Sequence, residues 1–213
     1  MKSSYFVISM FLLLSCSDKK GTENQLHSAK NNERIDSKNF HSDNNKTLKN
    51  WTDYYKALDP DFNFDNFEFV SESSFDKTAG NIYGSYDKEF DKLYSDFLIY
   101  SPDLKKYIDI DSNHWILDEN GNPVFEVDQE INLVDIPNKK IERIKFYGSS
   151  NWVEDAYWKD DHTIVLLENS DDQKPAITQM DVNSRKSMSY KYKNPLKNIS
   201  EYSKQRILVK LKK

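Results

Sequence analysis

One cysteine, five glycines and six prolines in 213 residues exclude several kinds of site. A single thiol, Cys16, cannot build an intrachain disulfide framework or a Cys-x-x-Cys motif. Five scattered glycines argue against a Gly-rich phosphate loop, and no Walker sequence occurs. G-x-S-x-G and H-E-x-x-H are absent too, which removes the nucleophile elbow and the zinc-protease helix. Positive charge is not in excess: 30 Lys and Arg stand against 35 Asp and Glu, a net charge of −5 that gives no support to a nucleic-acid partner. The apolar run Tyr5 to Leu14 falls short of the about 20 residues that span a bilayer stably. Of the four histidines, His27 and His41 stand isolated in a polar segment, and His114 and His162 carry no recognisable motif around them. Hydrolysis generally needs a nucleophile with its base or two opposed carboxylates. With neither legible, the expectation is a non-catalytic protein without cofactor or metal.

What is present is aromatic and charged. Aromatics make up 14% of the chain and charged residues 31%, with a mean hydropathy of −0.84. Such a chain can build one good core but leaves part of its length as solvated appendage. The first 15 residues read as a secretory signal, with Lys2 as the basic region and Tyr5 to Leu14 as the apolar one. The run ends in Leu13-Leu14-Ser15-Cys16, which resembles a bacterial lipobox. That resemblance implies cleavage before Cys16, acylation (palmitate included) of its thiol and new amine, and attachment to a membrane. Ser17 in place of Asp after the anchor is similar to an outer-membrane address.

Residues 16–46 read as the lipidated cysteine and a disordered tether. They are polar, and Leu26, Ile35 and Phe40 are scattered without helix or strand periodicity. A coil of this length would hold a domain on the order of 30 Å from the membrane. Residues 47–95 form a helical and extended N-terminal part. Leu48, Trp51, Tyr55 and Leu58 share one face of a helix over Thr47 to Leu58 that Pro60 stops. Asp59 to Phe67 alternates oxygen ligands with aromatics and reads either as a cation loop or as a turn into an edge strand, Phe62 to Val70. An EF-hand register from Asp59 fails, because Phe64 sits where Gly is needed and Val70 where Glu is needed. Tyr86, Phe90, Leu93, Tyr94 and Phe97 recur at helical spacing, predicting a second helix.

The chain then repeats itself. Tyr100 to Ile108 is answered by Trp158 to Ile164, and Leu133 to Lys140 falls without a gap on Gln179 to Lys186. The two β repeats span residues 96–148 and 149–193. In the first, Tyr107 to Asp111 alternates strictly, predicting Ile108 and Ile110 on one face with Asp109 and Asp111 together on the other. Asn120-Gly121 is the strongest hairpin signal in the chain. The expectation is a mainly β fold of two four-stranded antiparallel sheets. Their strand-Asp-x-turn-basic-strand hairpins, Val134 to Lys140 and Met180 to Lys186, resemble those of β-propeller blades. Propellers generally need four to eight blades, so the units read as an incomplete propeller or as stacked sheets, with a fragment of a third unit from residues 62–84. The basic segment 194–213 reads equally as helix or strand, and as a solvated end or a contact for anionic lipid.

Lipobox, tether and repeat together resemble the small lipoproteins of Bacteroidota, a likeness that implies an envelope location and no particular activity. The expected function is therefore a lipid-anchored envelope protein whose β domain binds a protein partner. The alternative is a glycan- or cation-binding module. Its candidate contacts are Trp152 and Trp158, in the dense aromatic-acid stretch Trp152 to Trp158, and the carboxylate pair Asp109 and Asp111.

Overall fold

Asn45 opens the first helix by accepting a hydrogen bond from Thr47 N–H, and Leu48, Trp51 and Tyr55 then fall on one buried face of α1 (Lys46–Leu58). In this computed structural model the structure is described for Phe40 and residues 43–212, which belong to one unit, residues 35–213. Cys16, the expected signal peptide and most of the expected tether lie outside the described residues. Phe40, one of the tether's scattered apolar residues, is buried against Phe64 and Tyr190.

The fold is mainly β. Twelve strands follow α1: β1 (Phe67–Ser74), β2 (Thr78–Ala79), β3 (Ile99–Tyr100), β4 (Lys106–Asp109), β5 (Trp115–Leu117), β6 (Pro123–Phe125), β7 (Gln129–Asp135), β8 (Lys140–Tyr147), β9 (Asn151–Trp158), β10 (Thr163–Ser170), β11 (Ala176–Asp181) and β12 (Lys186–Tyr192). Helix α2 (Tyr202–Leu211) ends the chain and settles the C-terminal alternative in favour of helix. Two antiparallel sheets run β1-β12-β11-β10-β9 and β2-β8-β7-β4-β3, and β5-β6 is a separate hairpin. Each large sheet has five strands, not the expected four. The reason is the stretch from 62 to 84, which adds β1 to the edge of β12 and β2 to the edge of β8 instead of starting a third unit.

The gapless half of the repeat survives in register. Asp135 pairs with Lys140 as Asp181 pairs with Lys186, and Lys139 and Arg185 both take positive φ, 47° and 58°. In each hairpin the Asp carboxylate accepts backbone N–H bonds from the turn, from Asn138 in one and from Asn183 and Ser184 in the other. The other half is displaced by one residue. Ile99 faces Ile108 and Trp158 faces Ile164, so the counterpart of Trp158 is Ile99, not Tyr100.

The helix expected over Tyr86 to Phe97 is replaced by a 3-10 turn, Lys92–Phe97. Asp87 and Asp91 turn their carboxylates back to the N–H groups of Gly84 and Leu93, which favours turns over a continuous helix. Tyr86 packs over Tyr107 and Val134, whereas Tyr94 and Phe97 pack on Trp115, and one straight helix could not serve both clusters.

The β1-β12-β11-β10-β9 sheet is the middle layer. One face carries Tyr157, Val165, Leu167, Ile177 and Tyr190 against α1 and the aromatic turn at Phe62 to Phe67. The opposite face carries Val153, Ala156, Trp158, Ile164, Leu166 and Met180 against Ile108, Ile131, Leu133 and Ile144 of the second sheet. Polar ties join the sheets as well. Glu168 accepts from Tyr147 Oη at 2.7 Å and Lys145 Nζ at 3.1 Å, while the Gln129 amide bonds both the N–H and the C=O of Val153.

A β-bulge near Glu154 on β9 lets two consecutive acids serve the helices. Glu154, 0% exposed, accepts hydrogen bonds from Trp51 Nε1 at 2.7 Å, Tyr55 Oη at 2.6 Å and Ser200 Oγ at 2.5 Å. Asp155 accepts from Tyr202 Oη at 3.0 Å. Burial raises the Glu154 carboxyl above its ordinary pKa, although its hydrogen bonds oppose the shift. Asp109 and Asp155 are raised by burial too.

Removing the acceptor in Glu154→Ala strands two buried donors, Trp51 and Tyr55, and the part-buried Ser200, and is expected to cost about 3 kcal/mol or more in urea unfolding. The pH dependence has a definite sign. A carboxyl with a raised folded pKa contributes its stability below the unfolded value, 4.5 for Glu154, and loses it as pH rises through the folded value. Stability is therefore expected to increase as pH falls from neutral toward about 5, and Glu154→Gln is expected to flatten that slope.

Candidate functional site

The carboxylate pair is not a solvated face. Asp109 and Asp111 are 2% and 1% exposed. Beyond β4 the chain turns back on itself: Asp109 accepts from the N–H groups of Asp111 and Ser112 and from Ser112 Oγ. Asp111 accepts from Trp115 Nε1 at 2.8 Å and forms a two-pronged ion pair with Arg206 of α2, at 2.7 and 3.0 Å. Both acids are thus occupied inside the protein. Among the described residues no group of three or more His, Cys, Asp or Glu could hold a metal ion. The Asp59 to Phe67 stretch takes its turn form, with Asp59 accepting from Asp61 N–H and with Phe62 and Phe64 buried.

The two tryptophans part company. Trp158, at the end of β9, is buried between the sheets and donates through Nε1 to Ile99 O at 2.8 Å. Trp152, at the start of the same strand, is half-buried and lines a cleft of about 460 Å³. The cleft is walled by Phe125 and Val127 of the β5-β6 arm, by His114 and by Ser203 of α2, with Glu126, Glu201 and Lys204 also lining it. The hairpin stands there because Trp115, fully buried, anchors its inner side against Tyr94, Phe97 and Ile207. Asp118 closes its tip by accepting N–H bonds from Asn120 and Asn122, and Gly121 takes the positive φ of 78° that a side chain would resist.

With one side of the hairpin committed to that core, its apolar residues on the other side are left outside. Ile116 and Val124 pair across the strands and remain half exposed, and Val127 is 69% exposed. A neighbouring depression continues the apolar surface from Val127 to Ile116 and Phe146. Around it stand Glu126, Asp128 and Glu130. Contiguous apolar surface rimmed by charge is the usual composition of a protein contact.

Of the polar residues that line the cleft, His114 and Ser203 are the buried ones. His114 Nδ1 lies 3.4 Å from Asp128 O, an atom that can only accept, so the ring proton belongs on Nδ1 and Nε2 is left as an acceptor. Burial lowers the pKa of His114, which keeps the ring neutral. Ser203 Oγ is buried without a hydrogen-bond partner, so it is not joined to His114 as a nucleophile to its base. The cleft can seat an apolar side chain against Phe125, Val127 and Trp152, with Asn151, Glu201 and Lys204 among the polar residues at its walls. Trp152 was legible in the sequence as part of an aromatic-acid cluster. Phe125, Val127 and Ser203 were not.

Of the four tryptophans, Trp51, Trp115 and Trp158 are buried and Trp152 alone is partly exposed. Acrylamide quenching of the native protein is expected to affect one emitting component only, and Trp152→Phe should abolish it without moving the thermal midpoint. Comparison with protein-family models, with curated proteins and with solved structures finds no match to this chain.

Proposed function

We propose that this protein is a lipid-anchored component of a bacterial cell envelope, of the Bacteroidota lipoprotein type and held at the outer membrane. Its β domain serves as a non-catalytic protein-binding module. The observation that carries the binding reading is the outward apolar surface of the β5-β6 hairpin: Ile116, Val124 and Val127 lie exposed beside a cleft lined by Phe125 and Trp152. Solvent-facing apolar residues on a short hairpin that is otherwise anchored by Trp115 are unfavourable in isolation and become favourable under a partner. The acids at the edge, Glu126 and Asp128, select a partner with an apolar anchor flanked by basic residues, while Glu130 is held by Arg143 at 2.7 Å. The anchor side chain occupies the cleft and the basic flanks meet the carboxylates.

In architecture we read β3-β4-β7-β8 and β9-β10-β11-β12 as two four-stranded units of propeller-blade type, stacked face to face, with β1 and β2 as additions at their outer edges. The matched Asp135 to Lys140 and Asp181 to Lys186 hairpins support this reading. The anchoring half rests on the lipobox residues Leu13 to Cys16. Among the described residues no helix is long and apolar enough to cross a membrane, and two acyl chains on Cys16 would supply stable attachment by themselves.

Cys16→Ser is expected to move the protein from the membrane pellet to the soluble fraction, and retention in the pellet would remove the anchoring half. For the binding half, site-specific photocrosslinkers at Ile116 and Phe146 in living cells should yield one saturable protein adduct. Val127→Asp should reduce that adduct at least about tenfold through charge repulsion and lost burial, with the thermal midpoint unchanged. An adduct indifferent to Val127→Asp would refute this surface as the site.

A further inference from the structure

A second cleft, chemically unlike the first, opens where the edges of the two sheets meet the helices. It has a volume of about 670 Å³ and lies between α1, α2, β3 and the end of β9. Its walls are aromatic: Tyr54 from α1, Tyr100 from β3, Tyr157 and Trp158 from β9, and Tyr202 from α2 all line it. The stacking of the two sheets brings β3 and β9 side by side, and Trp158 holds them there through its bond to Ile99 O.

The charges in this cleft run against the net charge of the chain, which is −5. Lys46, Arg206 and Lys210 line it beside one carboxylate, Asp155; Arg206 is paired with Asp111 and Lys210 reaches Asp96 O at 3.2 Å, which leaves Lys46 as the cation at its mouth. Both oxygens of Asp155 are engaged, one by Ala156 N–H at 2.9 Å and the other by Tyr202 Oη at 3.0 Å. Donors, by contrast, are left over. Arg206, whose side chain is 6% exposed, spends its terminal nitrogens on Asp111 and has no acceptor for its buried Nε–H. Lys46, Asn50, Tyr100 and Gln205 line the cleft as exposed residues, so their donors face solvent and are open to a ligand. Tyr100 is 43% exposed and its ring is steadied from behind by Tyr107, 5.4 Å away between centroids.

We propose that this cleft binds an acidic saccharide, a sugar ring bearing a carboxylate or phosphate. The exposed Tyr100 ring takes the apolar face of a pyranose ring, the amides and the phenol hydrogen-bond its hydroxyls, and the exposed Lys46 ammonium receives the anionic group. An extended peptide fits less well. Strand addition along β3 would need the Ile99 carbonyl, which Trp158 already occupies, and β3 is two residues long. The saccharide site is separate from the apolar surface of the β5-β6 hairpin and stands whether or not a protein binds there.

The test is calorimetric titration of the purified full chain with oligogalacturonate, with a sugar phosphate oligomer and with maltohexaose as the neutral control. Saturable binding of at least one acidic oligomer is expected, at least about tenfold tighter than maltohexaose, and weaker in 1 M salt than in 0.1 M. Which acidic oligomer binds decides between carboxylate and phosphate. Tyr100→Ala and Lys46→Ala, both on exposed residues, should each weaken it about tenfold with the thermal midpoint unchanged, while Val127→Asp leaves it intact. Equal affinity for maltohexaose, no saturable binding of either acidic oligomer, or binding indifferent to both substitutions would overturn the proposal.

Discussion

The buried carboxylate of Glu154 is the constraint on which the rest of this structure depends. It sits on a bulged strand with no exposed surface and holds donors from α1 and from the segment leading into α2. An unpaired charge at that depth would cost several kcal/mol, so the carboxylate is tolerable only while Trp51, Tyr55 and Ser200 converge on it. The requirement is mutual. The indole N–H and the phenol hydroxyl need an acceptor as much as the carboxylate needs donors, and Tyr55 Oη also accepts from the Asn169 amide. A single residue of the middle sheet thereby fixes where the helical layer lies.

The same device recurs along α2. Arg206 reaches Asp111, which follows β4 of the second sheet, while Tyr202, one turn earlier, reaches Asp155 of the first. Helix α2 is tied to both sheets by charged or charge-assisted hydrogen bonds, with Ile207 supplying the apolar contact to Trp115. Apolar packing between the sheets is non-directional and would permit sliding. The buried polar ties at Gln129, Glu168 and Trp158 remove that freedom, because displacement would leave each group without its partner.

This rigidity has consequences for the surface. Trp115 commits one side of the β5-β6 hairpin to the core and so presents its other side, with Ile116 and Val124, to solvent. The docking of β3 beside β9 brings Tyr100 and Trp158 to the walls of one cleft. The two candidate surfaces differ in character for that reason. One is the unburied half of a hairpin and is apolar with an acidic edge; the other is a seam between layers and is aromatic with surplus donors.

Much of the local structure was legible in the residues themselves. The apolar spacing of Leu48, Trp51 and Tyr55 gives α1, Asn120-Gly121 closes a hairpin, and the gapless match of Leu133 to Lys140 with Gln179 to Lys186 is a true equivalence of hairpins in register. These features depend on contacts within a few residues or within one strand pair, so short-range periodicity and turn chemistry suffice to read them. What needed the tertiary structure was everything set by residues far apart in the chain. Alternation placed Asp109 and Asp111 together on the face opposite Ile108 and Ile110, but Ser112 takes up Asp109 and Trp115 and Arg206 pair Asp111. Helical spacing over Tyr86 to Phe97 yielded to two separate clusters that one straight helix could not reach. The fifth strands, the burial of Glu154 and both clefts follow from which faces meet, and that is decided by long-range packing and the satisfaction of buried polar groups, which no local pattern encodes.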